Sequence, residues 1–250
     1  MSLRSRLDQA LVDRGLLPSR EKAKRAILAG QVRVKGQVAR KAGDLVLPTD
    51  ELTLEAPERY VSRGGYKIEH GLNHFGVAVA GVIAMDLGAS TGGFTDCLLQ
   101  QGAAKVYAVD VGQGQLAWKL RQDARVVVME KTNARLLTRA HFPAGFGGAD
   151  LIVADCSFIS LQKILPAAVA LLSDSGKILA LVKPQFEAGK AEADRGRGVV
   201  TDPAIHARVL AELKAFAAEK VGLDWMGEVS SPLLGPAGNK EFLVLLEKKR

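Results

Sequence analysis

Two cysteines, Cys97 and Cys156, are all that this 250-residue chain contains. Neither sits in a CxxC or comparable spacing, which excludes a disulfide framework and a thiolate metal site. Both have apolar neighbours and are expected as buried thiols in a reducing compartment. Long apolar runs are also missing. Ile164–Leu172 is nine residues, about half of the ~18 that a membrane span needs. The N-terminus does not read as a secretion signal, because Leu3, Leu7 and Leu11 are interleaved with Arg4, Arg6, Asp8 and Asp13. Internal repeats and low-complexity tracts are absent. These absences lead to the expectation of a cytoplasmic protein with no membrane partner and no bound metal.

Hydrophobic residues make up 48% of the chain, enough to build a sizeable core in a medium domain with a small one attached. The net charge of +7 is unevenly placed: between Arg4 and Lys41 stand eleven Lys/Arg against three acids. The remainder is close to neutral. A basic patch confined to one end suits a polyanion-binding module, and its candidate contacts are Arg4, Arg6, Arg20, Lys22, Lys24, Arg25, Arg33 and Lys35.

The pattern changes along the chain. A short amphipathic stretch around Leu7–Leu11 and a second helix from Ser19 to Gly30, with Ser19 as N-cap, precede short strands at Val32–Val34, Val38, Leu45–Leu47 and Leu52–Leu54. This reads as a compact α+β domain over residues 1–59, with Ala56–Tyr60 as linker. From Val82 onward apolar strands alternate with helices. Strands are expected at Val82–Leu87, Lys105–Val111, Val126–Met129, Leu151–Ala154 and Lys177–Val182. Helices are expected at Phe94–Gln101, Gln115–Gln122, Leu161–Leu172 and Pro203–Val221. Nearly continuous apolar strands separated by helices imply a parallel sheet covered on both faces. Asp224–Val229 and Phe242–Glu247 follow with no helix between them and should close one edge as an antiparallel pair. Residues 60–250 are therefore expected to form a Rossmann-like α/β domain with a seven-stranded, mostly parallel sheet.

In such sheets, ligands bind outside the carboxyl ends of the strands. There the first strand meets Asp86-Leu87-Gly88-Ala89-Ser90-Thr91-Gly92-Gly93-Phe94. Its glycines permit close backbone approach, but the spacing is not the dinucleotide GxGxxG. Asp86 would repel a pyrophosphate, yet it suits a cationic sulfonium ligand that carries an amino group. Asp110 ends the second strand 24 residues on, where an acid binds ribose hydroxyls. The pair points to S-adenosyl-L-methionine (AdoMet) as cofactor, with Gly88, Ser90, Gly92, Gly93 and Phe94 around it. Asn133 is placed either to reach the adenine or to serve an ordinary turn. Asp155 and Lys183 end the fourth and fifth strands across the same crevice. Lys183, desolvated there, could act as a general base, but Asp155 opposes this, so a second cation such as Lys67 is called for. Residues Gly189–Val200, with Arg195 and Arg197, suit either a flap over substrate or a plain loop.

Three segments, Ser62-Arg63-Gly64-Gly65-Tyr66-Lys67, Asp86–Asp96 and Val182-Lys183-Pro184-Gln185-Phe186-Glu187, together resemble the TlyA (hemolysin A) family of FtsJ-like rRNA methyltransferases. The N-terminal unit resembles the RNA-binding domain shared with ribosomal protein S-four. The resemblance covers nearly the whole chain and implies a catalytic tetrad of Lys67, Asp155, Lys183 and Glu241. It also implies transfer to a cytidine 2′-hydroxyl of ribosomal RNA, with Lys183 taking the proton, Asp155 also facing the cofactor, and Arg63 joining the RNA contacts. Ribosomal subunits are the implied partner, and a monomer is expected. Two rival readings stand apart from this one. Methylation of a base is disfavoured because Asp155-Cys156-Ser157-Phe158 lacks the two prolines of that chemistry. A cytolysin is disfavoured because no bilayer-length or long cationic amphipathic helix is present.

Overall fold

The computed structural model describes residues 4–55, 58–189, 192 and 196–249. Ala56 and Pro57 of the expected linker, and Arg195, lie outside them. The chain forms two compact units, residues 1–59 and 60–250.

In the first unit, β1 (Ser5–Arg6) leads into α1 (Leu7–Asp13), and α2 (Arg20–Leu28) follows. Ser19 caps α2 by accepting a hydrogen bond from the Lys22 amide. Leu7, Leu11, Ala23 and Ile27 pack with Val32 and Val46 into a small core. Around it, β2 (Val32–Val34) pairs antiparallel with β3 (Gln37–Val38) and β5 (Leu52–Leu54), while β1 pairs with β4 (Leu45–Val46).

The second unit opens on α3 (Gly64–Phe75). Its sheet contains β6 (Ile83–Leu87), β7 (Lys105–Val109), β8 (Val126–Met129), β9 (Ala149–Ala154), β10 (Leu172–Val182), β11 (Leu223–Ser230) and β12 (Phe242–Lys248). Spatial order is β11-β12-β10-β9-β6-β7-β8. Strands β6 to β10 run parallel, and β12 is antiparallel to both neighbours. Strand side chains alternate between two cores. Met85, Leu87, Ile152 and Val182 face one side, with Leu165 and Leu171 of the helix Leu165–Leu171 and Val209 and Leu213 of the helix Pro203–Phe216. Ala84, Val106, Val153 and Leu181 face the other, with Ile68 and Leu72 of α3 and Phe94 and Leu98 of α4 (Gly93–Gln100). Chain order reverses beside β6, where the next strand, β7, lies on one side and β9 on the other. A ligand crevice belongs at that point.

Several elements depart from the expected bounds. Strand β7 stops at Val109 because Asp110 turns its carboxylate back to local amides. Only Trp118–Arg121 is helical in the stretch expected over Gln115–Gln122. The Ala117 amide bonds instead to the Thr91 carbonyl, and the Arg121 side chain donates to the Leu116 carbonyl. The helix expected over Leu161–Leu172 begins as a 3-10 turn, Leu161–Lys163, and gives way to β10 at Leu172. Helix α3 was not anticipated at all.

Candidate active site

The glycine-rich turn after β6 is built around Gly88 (φ +86°), whose added Cβ would lie 2.8 Å from the Asp155 carbonyl oxygen. No side chain fits there. The Gly88 and Ala89 amides both bond to the Val109 carbonyl. Asp110 accepts from the Ser90 and Gly112 amides, each at 2.7 Å. A cavity of about 500 Å³ lies along these residues. Its apolar lining includes Val109, Ala134, Ile159 and Ile164, and its polar rim Asp110, Asn133 and Asp155. Asn133 also caps the following 3-10 turn, accepting from the Arg135 amide.

Asp86 is fully buried. Its Oδ2 accepts from the Thr95 amide (3.0 Å) and hydroxyl (2.7 Å), fastening the start of α4, while its Oδ1 has no hydrogen-bond partner among the described residues. Burial first, then the nearby charges of Asp155 and Asp110, push its carboxyl up to about 7. Burial likewise pushes the Cys156 thiol up to about 12.

A second cavity, about 300 Å³, adjoins the same turn. Lys67 from α3, Asp155 after β9, Lys183 after β10 and Glu241 before β12 all line it, with Gly88 and Gly93. They stand as two ion pairs, Lys67 Nζ to Glu241 Oε2 and Lys183 Nζ to Asp155 Oδ1, each at 2.5 Å. Lys183 Nζ also donates to Ser157 Oγ at 2.8 Å. Strand register creates this meeting: Val182 of β10 is opposite Phe242 of β12, so Lys183 and Glu241 leave neighbouring strand ends together.

The structure thus brings Asp86, Gly88, Ser90, Gly93, Phe94 and Asp155 to the second cavity, and Asp110 and Asn133 to the first. Gly92 lines neither; at φ +97° it precedes α4 and abuts Leu120. Lys67 pairs with Glu241 instead of standing as an uncompensated cation beside Lys183. Ser157 was missed in the sequence, although its position two residues beyond Asp155 at a strand end was a usable signal. It lines both cavities. Phe158 was noted only for the prolines missing around it, yet it is 90% exposed with φ +61° at the mouth of the first cavity.

Arg63 is exposed and also lines the second cavity. Among the basic residues of the first unit, Arg4, Lys22 and Lys24 are exposed. Arg6 and Arg20 converge on buried Asp8 at 3.1 and 2.9 Å. Burial pushes that carboxyl up, but the hydrogen bonds of Arg20 and Arg6 prevail and hold it below its usual value. Arg25 pairs with Glu21, Arg33 with Glu55, and Lys35 with Asp50. Among the described residues, no group of His, Cys, Asp and Glu could hold a metal ion. None of their helices is long and apolar enough to cross a membrane.

A mostly parallel sheet with a glycine turn beside a polar, strand-end crevice is a Rossmann-like architecture, which takes its ligands at that crevice. The chain belongs to the FtsJ-like methyltransferases, whose family model matches residues 60–248. An S4 domain model matches residues 5–52. The chain is 49% identical over 249 residues to the 16S/23S rRNA (cytidine-2′-O)-methyltransferase TlyA of Mycobacterium tuberculosis, covering 98% of this chain and 91% of that one. It is 39% identical to hemolysin A of Brachyspira hyodysenteriae, over 95% and 98% of the two chains. A solved Streptococcus thermophilus protein, provisionally described as a hemolysin, is 45% identical at a TM-score of 0.75, covering 100% of this chain and 90% of that one.

Proposed function

We propose that the chain transfers a methyl group from AdoMet to a ribose 2′-hydroxyl of ribosomal RNA. The observation that carries this reading is the pairing of Lys67 with Glu241 and Lys183 with Asp155 around one cavity beside the glycine turn. The names of the curated relatives support the substrate, and the S4 domain with its basic residues supports RNA binding.

The residues present fit AdoMet. Gly88 leaves backbone where a side chain would collide, and Asp110 stands at the rim of an apolar cavity. Asp86 holds an acceptor oxygen without a donor. In this reading Asp110 takes the ribose hydroxyls, Asn133 the adenine edge, and Asp86 and Asp155 face the positively charged end. Once bound, AdoMet supplies an electrophilic methyl, so no metal is called for.

In this reading Lys183 Nζ is the acceptor of the 2′-hydroxyl proton, and Asp155 and Ser157 hold that amine at the crevice. Lys67 and Glu241 steady each other and orient the ribose. Holding the hydroxyl in line is itself worth ~7–11 kcal/mol of barrier. Exposed Phe158 offers a ring face to the unstacked nucleotide. The deciding experiment is tritiated methyl transfer to ribosomes, separated subunits and naked rRNA. Label should enter ribosomal RNA at a position that resists alkaline cleavage and should vanish with Lys183→Ala. Label at an alkali-sensitive position would instead show methylation of a base.

A further inference from the structure

Lys183 precedes, and Glu187 ends, a single turn of helix, Pro184–Glu187. That turn is tied twice to the loop that runs from Asp155 to the 3-10 turn Leu161–Lys163. At one end Lys183 Nζ meets Asp155 Oδ1 at 2.5 Å and donates to Ser157 Oγ at 2.8 Å. At the other end both oxygens of Glu187 accept from the same loop. Oε2 takes the Ser160 hydroxyl at 2.6 Å, and Oε1 the Leu161 amide at 2.8 Å.

Two observations single out the second tie. First, Glu187 is a half-buried carboxylate, and among the described residues no lysine or arginine offsets its charge. Burial pushes its carboxyl up, and the bonds from Ser160 and Leu161 pull it back. An acid placed this way is costly unless hydrogen bonds compensate it, and all of its printed bonds go to one loop. Second, Phe158 stands between the two ties with φ +61°. A bulky residue stays in that region only where its surroundings hold it. Its ring meets Phe186 of the helical turn, with centroids 5.1 Å apart. Cys156, Ser157, Phe158 and Ile159, all on the tied loop, line the first cavity. Glu187 itself lines neither that cavity nor the second.

We propose that Glu187 is a positioning residue for methyl transfer: by clamping Ser160 and Leu161 it fixes the loop that walls the cofactor cavity and presents Ser157 to Lys183. One helical turn thereby sets the proton acceptor at one end and, through the loop, the methyl donor's wall at the other. This inference rests on the proposed ribose methylation and adds a residue to its machinery.

The test measures methyl transfer to ribosomes at saturating AdoMet, with AdoMet stoichiometry read by calorimetry. Glu187→Ala should lower kcat by about 10–100-fold, while one AdoMet still binds per protein. A structural prop would instead reduce the number of competent sites and leave their turnover unchanged. Glu187→Gln keeps an acceptor for the Leu161 amide and a donor for Ser160, and should stay within about threefold of wild type. Because Glu187 acts through Ser157, its loss and that of Ser157→Ala should not multiply. The double variant should be slower than the slower single one by no more than about threefold. The inference falls if the alanine variant turns over at the wild-type rate, or if its loss is one of binding sites alone. It falls equally if glutamine is as slow as alanine, or if the losses in the double variant multiply. Should Glu187→Ala not fold, Ser160→Ala, which removes one of the two bonds, takes its place. A loss of about 3–10-fold is then expected, and no loss overturns the inference. Failure of ribose methylation itself shows in the wild-type protein, which would place no label at an alkali-resistant position.

Discussion

In the first unit, Arg25 and Glu21 meet with side chains 77% and 74% exposed; in the second, Lys67 and Glu241 meet with side chains 8% and 0% exposed. Both are single cation–carboxylate contacts, yet water makes them different objects. At the surface, solvent and salt already satisfy each charge, so the pair contributes little and its partners are easily exchanged. Arg25 can therefore leave Glu21 for a phosphate at small cost. Inside the crevice neither charge has another partner among the described residues, and removing one strands the other. The same chemistry leaves the cation exchangeable in one unit and fixes geometry in the other.

The strongest way to break this contrast is Lys183→Ala, expected to lower methyl transfer by roughly 10²–10⁴-fold while AdoMet affinity, read by calorimetry, barely moves. A retained rate would remove Lys183 from its role. Glu241→Ala comes next. It should destabilise the protein by about 3–5 kcal/mol in denaturant titration, because Lys67 is left buried and alone. Pairing Lys67→Met with Glu241→Leu should recover most of that stability but none of the activity. If the double variant is as unstable as the single one, the buried pair matters by more than its charge.

Asp86 sharpens the comparison with pH. Its folded value of about 7 lies above the ordinary 3.8, so the native state holds this proton more tightly than the unfolded chain does. The resulting penalty is absent below about pH 4, grows between pH 4 and 7, and is complete above 7, at up to on the order of 4 kcal/mol. Asp86→Asn should therefore stabilise the cofactor-free protein at pH 8 and not at pH 4, while weakening AdoMet binding. Equal effects at both pH values would refute the assignment. The smallest change is expected from Lys24→Gln in the first unit. It should leave the melting temperature in place and reduce the slope of log affinity for rRNA against log salt by about 0.7–0.9.

Much of the crevice was legible in the sequence, because strand-end chemistry follows from the order of apolar runs and turns. Asp86, Asp110, Asp155 and Lys183 fall where those runs stop. Lys67 was singled out only as a cation that Lys183 would need, and its partnership with Glu241 was legible only through resemblance, since no local pattern says that α3 and the start of β12 share a cavity. Helix α3 stayed hidden because it opens on Gly64-Gly65 and carries His70, Asn73 and His74, all weak helix formers. Tertiary contact supplies what propensity does not: Gly71 lets the helix settle onto the sheet, where an added Cβ would stand 3.2 Å from Leu179 and Leu243. Around Gln115–Gln122 the pattern was right for a helix, but hydrogen bonds to Thr91 and from Arg121 took the backbone elsewhere.

The position of β12 has a consequence for biosynthesis. Of the sheet strands it is the last to emerge during translation, yet it slots between β10 and β11, which are made earlier. The seam between those two must stay open until residue 248 has arrived, and Glu241 comes with it. A nascent chain halted after β11 would have the glycine turn, Asp155 and Lys183, but no carboxylate for Lys67. Competence for transfer is thus tied to the arrival of β12.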